Sequence, residues 1–131
     1  MIFLDTSYFA GLMNHKDPNH QNSLNIKRYI EDINEPTVIN TTVLVETLNR
    51  SVKTNILANN MYQTIKASNQ IIELTNNDYM SALEVSLWFG NSINYSDCTI
   101  IHTMFNMRIR DIVSFDSDFN KVEGLNVISA V

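Results

Sequence analysis

Four acidic residues, Asp5, Glu46, Asp97 and Asp116, fall at the ends of expected strands and helices. Carboxylates gathered without a cationic partner repel one another. They become a stable group when one or two hard divalent cations such as Mg²⁺ or Mn²⁺ sit among the oxygens. If the fold brings the four together, the chemistry they support is phosphodiester hydrolysis. A bound ion there lowers the pKa of a water and neutralises charge on the phosphoryl oxygens.

The chain that must position them has 131 residues, 44% of them apolar, which fits one domain over residues 1–131 with a real core. Three glycines and two prolines leave little material for flexible linkers. The net charge of −5 argues against a protein that coats nucleic acid, because such binding is driven by neutralising phosphates with lysine and arginine. It leaves room for a nuclease whose contacts are local and metal-assisted. The single cysteine, Cys98, allows no internal disulfide and fits a reducing cytoplasm. No apolar run is long enough to cross a membrane, and the strand-like Ile2-Phe3-Leu4 directly after Met1 leaves no room for a signal peptide.

Apolar patterning alternates strands with helices. Ile2–Leu4 reads as a buried strand, followed by a short helix over Tyr8–Met13. Asp17-Pro18 predicts a helix start, with Ile26, Tyr29, Ile30 and Ile33 as its buried stripe. Thr37–Asn40 is the second strand, and Asn40, Thr41 or Thr42 caps a helix carrying Leu44, Val45, Leu48 and Val52. A helix near Ala58–Ala67 precedes a third strand at Ile71–Leu74. Asn76 or Asn77 opens a helix through Tyr79, Ala82, Leu83 and Leu87 that stops at Gly90. Ser96 caps the next helix, whose core stripe is Ile100, Ile101, Met104 and Phe105. A fourth strand at Ile112–Ser114, a helical turn after Asp116 and a last strand at Val127-Ile128 complete the order. The expected fold is a three-layer α/β/α sandwich around a mostly parallel sheet of four or five strands. Ligands bind such sheets beyond the carboxyl ends of the strands.

Asp5 and Asp116 each come closely after a strand, so their carboxylates belong at that edge; a helix cap or turn is the plain alternative for both. Asp97 is more telling. It shares a face with Ile100, Ile101 and Met104, and helical side chains lean toward the N-terminus, so it projects over the sheet edge. Glu46 is the weakest of the four. At ~100° per residue it lies opposite Leu44, Val45, Leu48 and Val52, on a face shared with Arg50 and Lys53. That pattern reads either as a solvated face or as a cleft wall, with one carboxylate toward a metal and two cations toward substrate phosphates. His15, His20 and His102 show no zinc-ligand spacing. Cys98 has no nucleophile's partners, and Trp88 and Phe89 read as core or interface rather than as a base-stacking platform.

Taken together, these segments resemble the PIN-domain ribonucleases, and among them the VapC-type toxins of toxin–antitoxin pairs. The resemblance spans essentially the whole chain. Ile2-Phe3-Leu4-Asp5-Thr6-Ser7 is similar to the family's opening strand and Asp-Thr-Ser. Asp17-Pro18-Asn19-His20 is similar to its second-helix entry, and Val45-Glu46 to its helix glutamate. Tyr95-Ser96-Asp97 with Ile100 resembles the third acidic motif, with Cys98 where a small residue is common. Ser114-Phe115-Asp116-Ser117-Asp118-Phe119 resembles the closing motif, with Ser114 in place of the more usual threonine.

The resemblance implies an acidic site of Asp5, Glu46, Asp97 and Asp116, with Asp5 and Asp97 as principal ligands of Mg²⁺ or Mn²⁺. It implies that Ser7 and Ser114 orient those ligands, and that Asp118 assists or replaces Asp116. It also implies an RNA substrate, a cognate antitoxin and a homodimer. Two alternatives differ in class: a PIN nuclease of RNA processing or decay without an antitoxin, and a non-catalytic protein-binding module of the same fold.

Overall fold

The computed structural model describes residues 1–131. Five short strands form one parallel sheet: β1 Ile2–Leu4, β2 Thr37–Asn40, β3 Gln70–Ile72, β4 Asp111–Val113 and β5 Asn126–Ile128. They lie in the order β3-β2-β1-β4-β5. Six helices flank the sheet: α1 Thr6–Met13, α2 His20–Ile33, α3 Thr41–Lys53, α4 Ala58–Ser68, α5 Asn76–Trp88 and α6 Tyr95–Met107. A 3-10 turn covers Ser117–Lys121. The architecture is the expected α/β/α sandwich, with all five strands parallel.

Parallel strands packed on both faces must be apolar throughout. Phe3, Val38, Ile39, Ile112 and Val113 accordingly have no measurable exposure, and Ile100, Ile101, Met104 and Phe119 pack against them. From β1 the chain builds outward through β2 to β3, then returns to the other side of β1 for β4 and β5. The order therefore reverses between β1 and β4, and the crevice beyond that point is where such folds place ligands. Register fixes the residues that lie there. Leu4 pairs with Val113, and the Asp5 amide donates to the Val113 carbonyl at 3.0 Å, so Asp5 and Ser114 leave the sheet side by side.

Several local expectations change. α2 begins at His20 rather than at Pro18, because Asp17 accepts the Asn19 amide (2.8 Å) in a turn that precedes the helix. Its buried stripe is Ser23, Ile26 and Ile30, while Tyr29 and Ile33 are exposed. The cause is the close approach of α1: Ser23 donates to the Tyr8 carbonyl (3.0 Å), and a Cβ at Gly11 would lie 2.2 Å from the Ser23 hydroxyl oxygen.

In α3 the buried stripe is Val43, Thr47 and Ser51, with Val45 and Val52 exposed. Glu46, next to that stripe, is half-buried rather than on an open face. β3 begins one residue earlier than expected and ends at Ile72; β4 ends at Val113, leaving Ser114 free to turn into the crevice. Thr75 caps α5 through a reciprocal box with Asp78. Asn94, not Ser96, precedes α6, and Phe105 is exposed. Leu83, Leu87 and Trp88 are exposed as well; Trp88, at 85%, is a surface residue rather than core.

Candidate metal centre

Each acidic side chain is delivered by the end of an element. Asp5 is the residue between β1 and α1, and it is buried. Its Oδ2 accepts both the Ser7 hydroxyl (2.8 Å) and the Ser114 hydroxyl (2.8 Å). Those hydroxyls are themselves oriented from behind. Ser7 Oγ accepts the Phe115 amide at 3.0 Å, and Ser114 Oγ accepts the Asp116 amide at 3.0 Å. A hydroxyl has one proton, so both serine protons are committed to Asp5. Burial raises the Asp5 pKa, while the hydrogen bonds from Ser114 and Ser7 and the amides of Thr6 and Ser7 pull the other way.

Asp97 sits in the first turn of α6 and is buried beside three other acids. Its pKa is pushed up to about 8, first by burial, then by the Asp5 charge, by a carboxyl–carboxyl hydrogen bond with Asp116, and by the charges of Asp116 and Glu46. Its Oδ2 is buried with no hydrogen-bond partner. Such an atom in a native fold calls for a proton, a water or an ion.

Asp116 comes after β4 and accepts the Asp118 amide on Oδ1 (2.9 Å), which opens the 3-10 turn. That turn carries Asp118 inward, so carboxylate oxygens of Asp97, Asp116 and Asp118 lie within 4.8 Å of one another. The other role of Asp118 is an ion pair with Lys121 at 2.9 Å. Glu46 reaches in from α3. Burial and then the Asp5 charge raise its pKa, against a hydrogen bond from Ser96 and the charge of Arg50.

The structure thus brings Asp5, Glu46, Asp97, Asp116 and Asp118 to one crevice, with Ser7 and Ser114 behind Asp5. Arg50 and Lys53 lie further along α3, both exposed. One partner was missed from sequence: Lys121 pairs with Asp118, at the spacing of three residues that favours a pair within one turn.

The donor set is all oxygen and hard, one of its atoms is buried and unpartnered, and one lysine at the rim is the cation paired with it. Those features fit a hard divalent cation better than a softer ion.

A parallel sandwich with an acidic crevice at its topological switch point defines a narrow class. The chain matches the PIN domain model over residues 2–125 and belongs to the PIN domain family. Its fold is similar to that of the Mycobacterium tuberculosis toxin VapC20, described as sarcin-ricin loop cleaving. The TM-score is 0.75 at 21% identity, covering 95% of this chain and 97% of that one. It is also similar to a chain of VapBC2 from Rickettsia felis, bound to a DNA fragment from their promoter. There the TM-score is 0.70 at 16% identity, covering 97% of each chain. No curated protein sequence matches the chain.

Proposed function

We propose that the protein is a metal-dependent endoribonuclease and the toxin of a toxin–antitoxin pair, acting as one domain in the cytoplasm. The observation that carries the reading is the unpartnered Asp97 Oδ2 at the switch point, grouped with Asp116 and Asp118 and within reach of the Asp5 and Glu46 charges. Asp5, Asp97, Glu46 and Asp116 would hold one or two Mg²⁺ or Mn²⁺ ions, and Asp118 would assist. Bound there, the metal would supply a water of lowered pKa and positive charge to offset that on the phosphoryl oxygens. The chain's own residues do the rest. Ser7 and Ser114 fix the Asp5 carboxylate. Arg50 and Lys53 attract the flanking phosphates of a strand that the net charge of −5 would otherwise repel.

Resemblance to a cleaving toxin and to a chain of a VapBC pair supports an antitoxin partner, and we take a homodimer as the working form. An acidic crevice favours a partner that delivers a basic side chain. Two experiments test the reading. Purified protein should cleave RNA with Mg²⁺ or Mn²⁺, and Asp5→Asn or Asp97→Asn should abolish that cleavage while leaving the fold intact. In cells, wild type alone should arrest growth, and either Asp5→Ala or co-expression with the adjacent open reading frame should restore it. Cleavage that survives both asparagine substitutions, or wild type that leaves growth unaffected, would overturn the nuclease or the toxin reading respectively.

A further inference from the structure

We propose that Asn40 is a positioning residue, whose buried carboxamide ties the start of α3 to the middle of α6 at the spacing that brings Glu46 and Asp97 to one ion. The inference rests on the metal-centre reading above. Asn40 ends β2 and is fully buried. Its Oδ1 accepts the Val43 amide at 3.0 Å, which caps α3. Serine or threonine could do that much. Asn40 does more: its Nδ2 points to two hydroxyls of α6, Thr103 Oγ1 at 3.2 Å and Thr99 Oγ1 at 3.5 Å.

The protons account for why a donor is required. The Thr103 hydroxyl donates to the Thr99 carbonyl at 2.8 Å, and the Thr99 hydroxyl donates to the Ser96 carbonyl at 2.6 Å. Each hydroxyl has only one proton, so both oxygens face Asn40 with lone pairs. Only a group with two N–H donors on one side and an acceptor on the other satisfies all three contacts. Thr42 of α3 adds a second tie, its hydroxyl 3.1 Å from that of Thr99.

The brace joins the two helices that carry the acids. Val43 is three residues before Glu46, and on α6 Thr99 is two residues and Thr103 six residues after Asp97. Ser96, whose carbonyl takes the Thr99 proton, is the residue directly before Asp97. Apolar packing leaves two helices free to slide by fractions of an ångström; directional bonds in a buried, low-dielectric setting do not.

The test compares four proteins. Asn40→Ser keeps the cap and loses the reach to α6. Thr103→Val removes one acceptor at constant shape, and Thr103→Ser restores it. Ile65→Val, a buried change on α4, lowers stability without touching the brace. Mn²⁺ affinity is read by titration calorimetry. Asn40→Ser and Thr103→Val should weaken it about tenfold, while Thr103→Ser and Ile65→Val should leave it within about twofold of wild type. Wild-type affinity in both Asn40→Ser and Thr103→Val, or equal weakening in Ile65→Val, would overturn the positioning role; if Asn40→Ser does not fold, the Thr103 pair decides alone.

Failure of wild type to take up Mn²⁺ would overturn the metal centre instead. The brace is then judged in chelator by a double-mutant cycle of Asn40→Ser and Thr103→Val. Non-additive stability supports it, and additivity overturns it.

Discussion

Replacing Asp97 by asparagine should stabilise the metal-free protein while removing its capacity to hold a divalent ion. The Asp97 carboxyl has its pKa raised from 3.8 to about 8 in the folded state. Between those values the folded protein keeps a proton that the unfolded chain has released. Stability therefore falls as pH climbs through that window, the reverse of a salt-bridged aspartate. At pH 7 the gap is roughly three pH units, and at ~1.4 kcal/mol per unit the ceiling is about 4 kcal/mol. Local relaxation and water entry take about half of that, leaving about 2 kcal/mol, or roughly 6–8 °C in Tm for a chain of this size. Asparagine has the same shape, no charge, and an amide that can donate to Asp116. The assay is thermal melting in chelator at pH 5.5, 7 and 8. Wild type should lose stability across the series, with Asp5 and Glu46 adding in the same direction because their pKa values are raised as well. Asp97→Asn should be flatter and higher at pH 7 and 8. Added Mn²⁺ should reverse the trend in wild type alone, since binding requires ionised ligands and stabilises the state that binds. A metal-free Asp97→Asn that melts at or below wild type at pH 8, or a flat wild-type profile, would refute the electrostatic account.

Ser114→Ala removes one of the two hydroxyls that fix Asp5 and the acceptor of the Asp116 amide. Mn²⁺ affinity should drop at least tenfold by calorimetry, with Ser114→Thr near wild type. Lys121→Met breaks an ion pair whose lysine is about half exposed, so its cost in denaturant unfolding should stay under about 1 kcal/mol. With that competing cation gone, Mn²⁺ should bind about twofold more tightly; weaker binding would mean that Lys121 supports the site. The pair Arg50→Gln and Lys53→Gln should raise KM for RNA several-fold at unchanged kcat and flatten its salt dependence; a loss confined to kcat would place these cations at the reacting phosphate. Gly11→Ala drives a Cβ against Ser23 where α1 meets α2. It should cost about 1–3 kcal/mol in urea unfolding without moving Mn²⁺ affinity, and a neutral result would show that the two helices can separate freely.

How far the sequence revealed this site depended on how each acid is delivered. Asp5 and Asp116 were legible because short apolar strands in a parallel sheet are easy to see and their carboxyl ends share one edge. Asp97 was legible because it shares a helical face with Ile100, Ile101 and Met104. Glu46 was not, since the apolar pattern of α3 pointed to the wrong face. Leu44, Val45, Leu48 and Val52 suggested one stripe, whereas the helix buries Val43, Thr47 and Ser51. Small polar residues allow the close approach of neighbouring elements, and a count of apolar positions cannot register that. Tyr29, Ile33, Leu83, Leu87, Trp88 and Phe105 failed for the converse reason: apolar side chains left on the surface carry the same pattern as core. Ser96 looked like a cap because serine before a helix usually is one; α6 instead begins at Tyr95, after Asn94, and Ser96 lies inside its first turn.

The turn after Asp116 also brings in the second acid of the closing motif. Asp116 alone would satisfy a four-carboxylate site, yet the 3-10 turn that it opens carries Asp118 to the same crevice. A fifth carboxylate in that space adds repulsion, and Lys121 offsets it at the rim rather than at the centre. The balance leaves Asp118 partly neutralised at the rim, while at the floor, around Asp5 and the unpartnered Asp97 oxygen, the crowded acids hold a proton in the metal-free protein. A divalent ion bound there would displace that proton, next to an Asp5 carboxylate that the serine hydroxyls hold in place. This arrangement from rim to floor has its origin in the sheet topology. Because β1 and β4 end side by side, the residues leaving them, Asp5 from one and Ser114 to Lys121 from the other, must share one crevice.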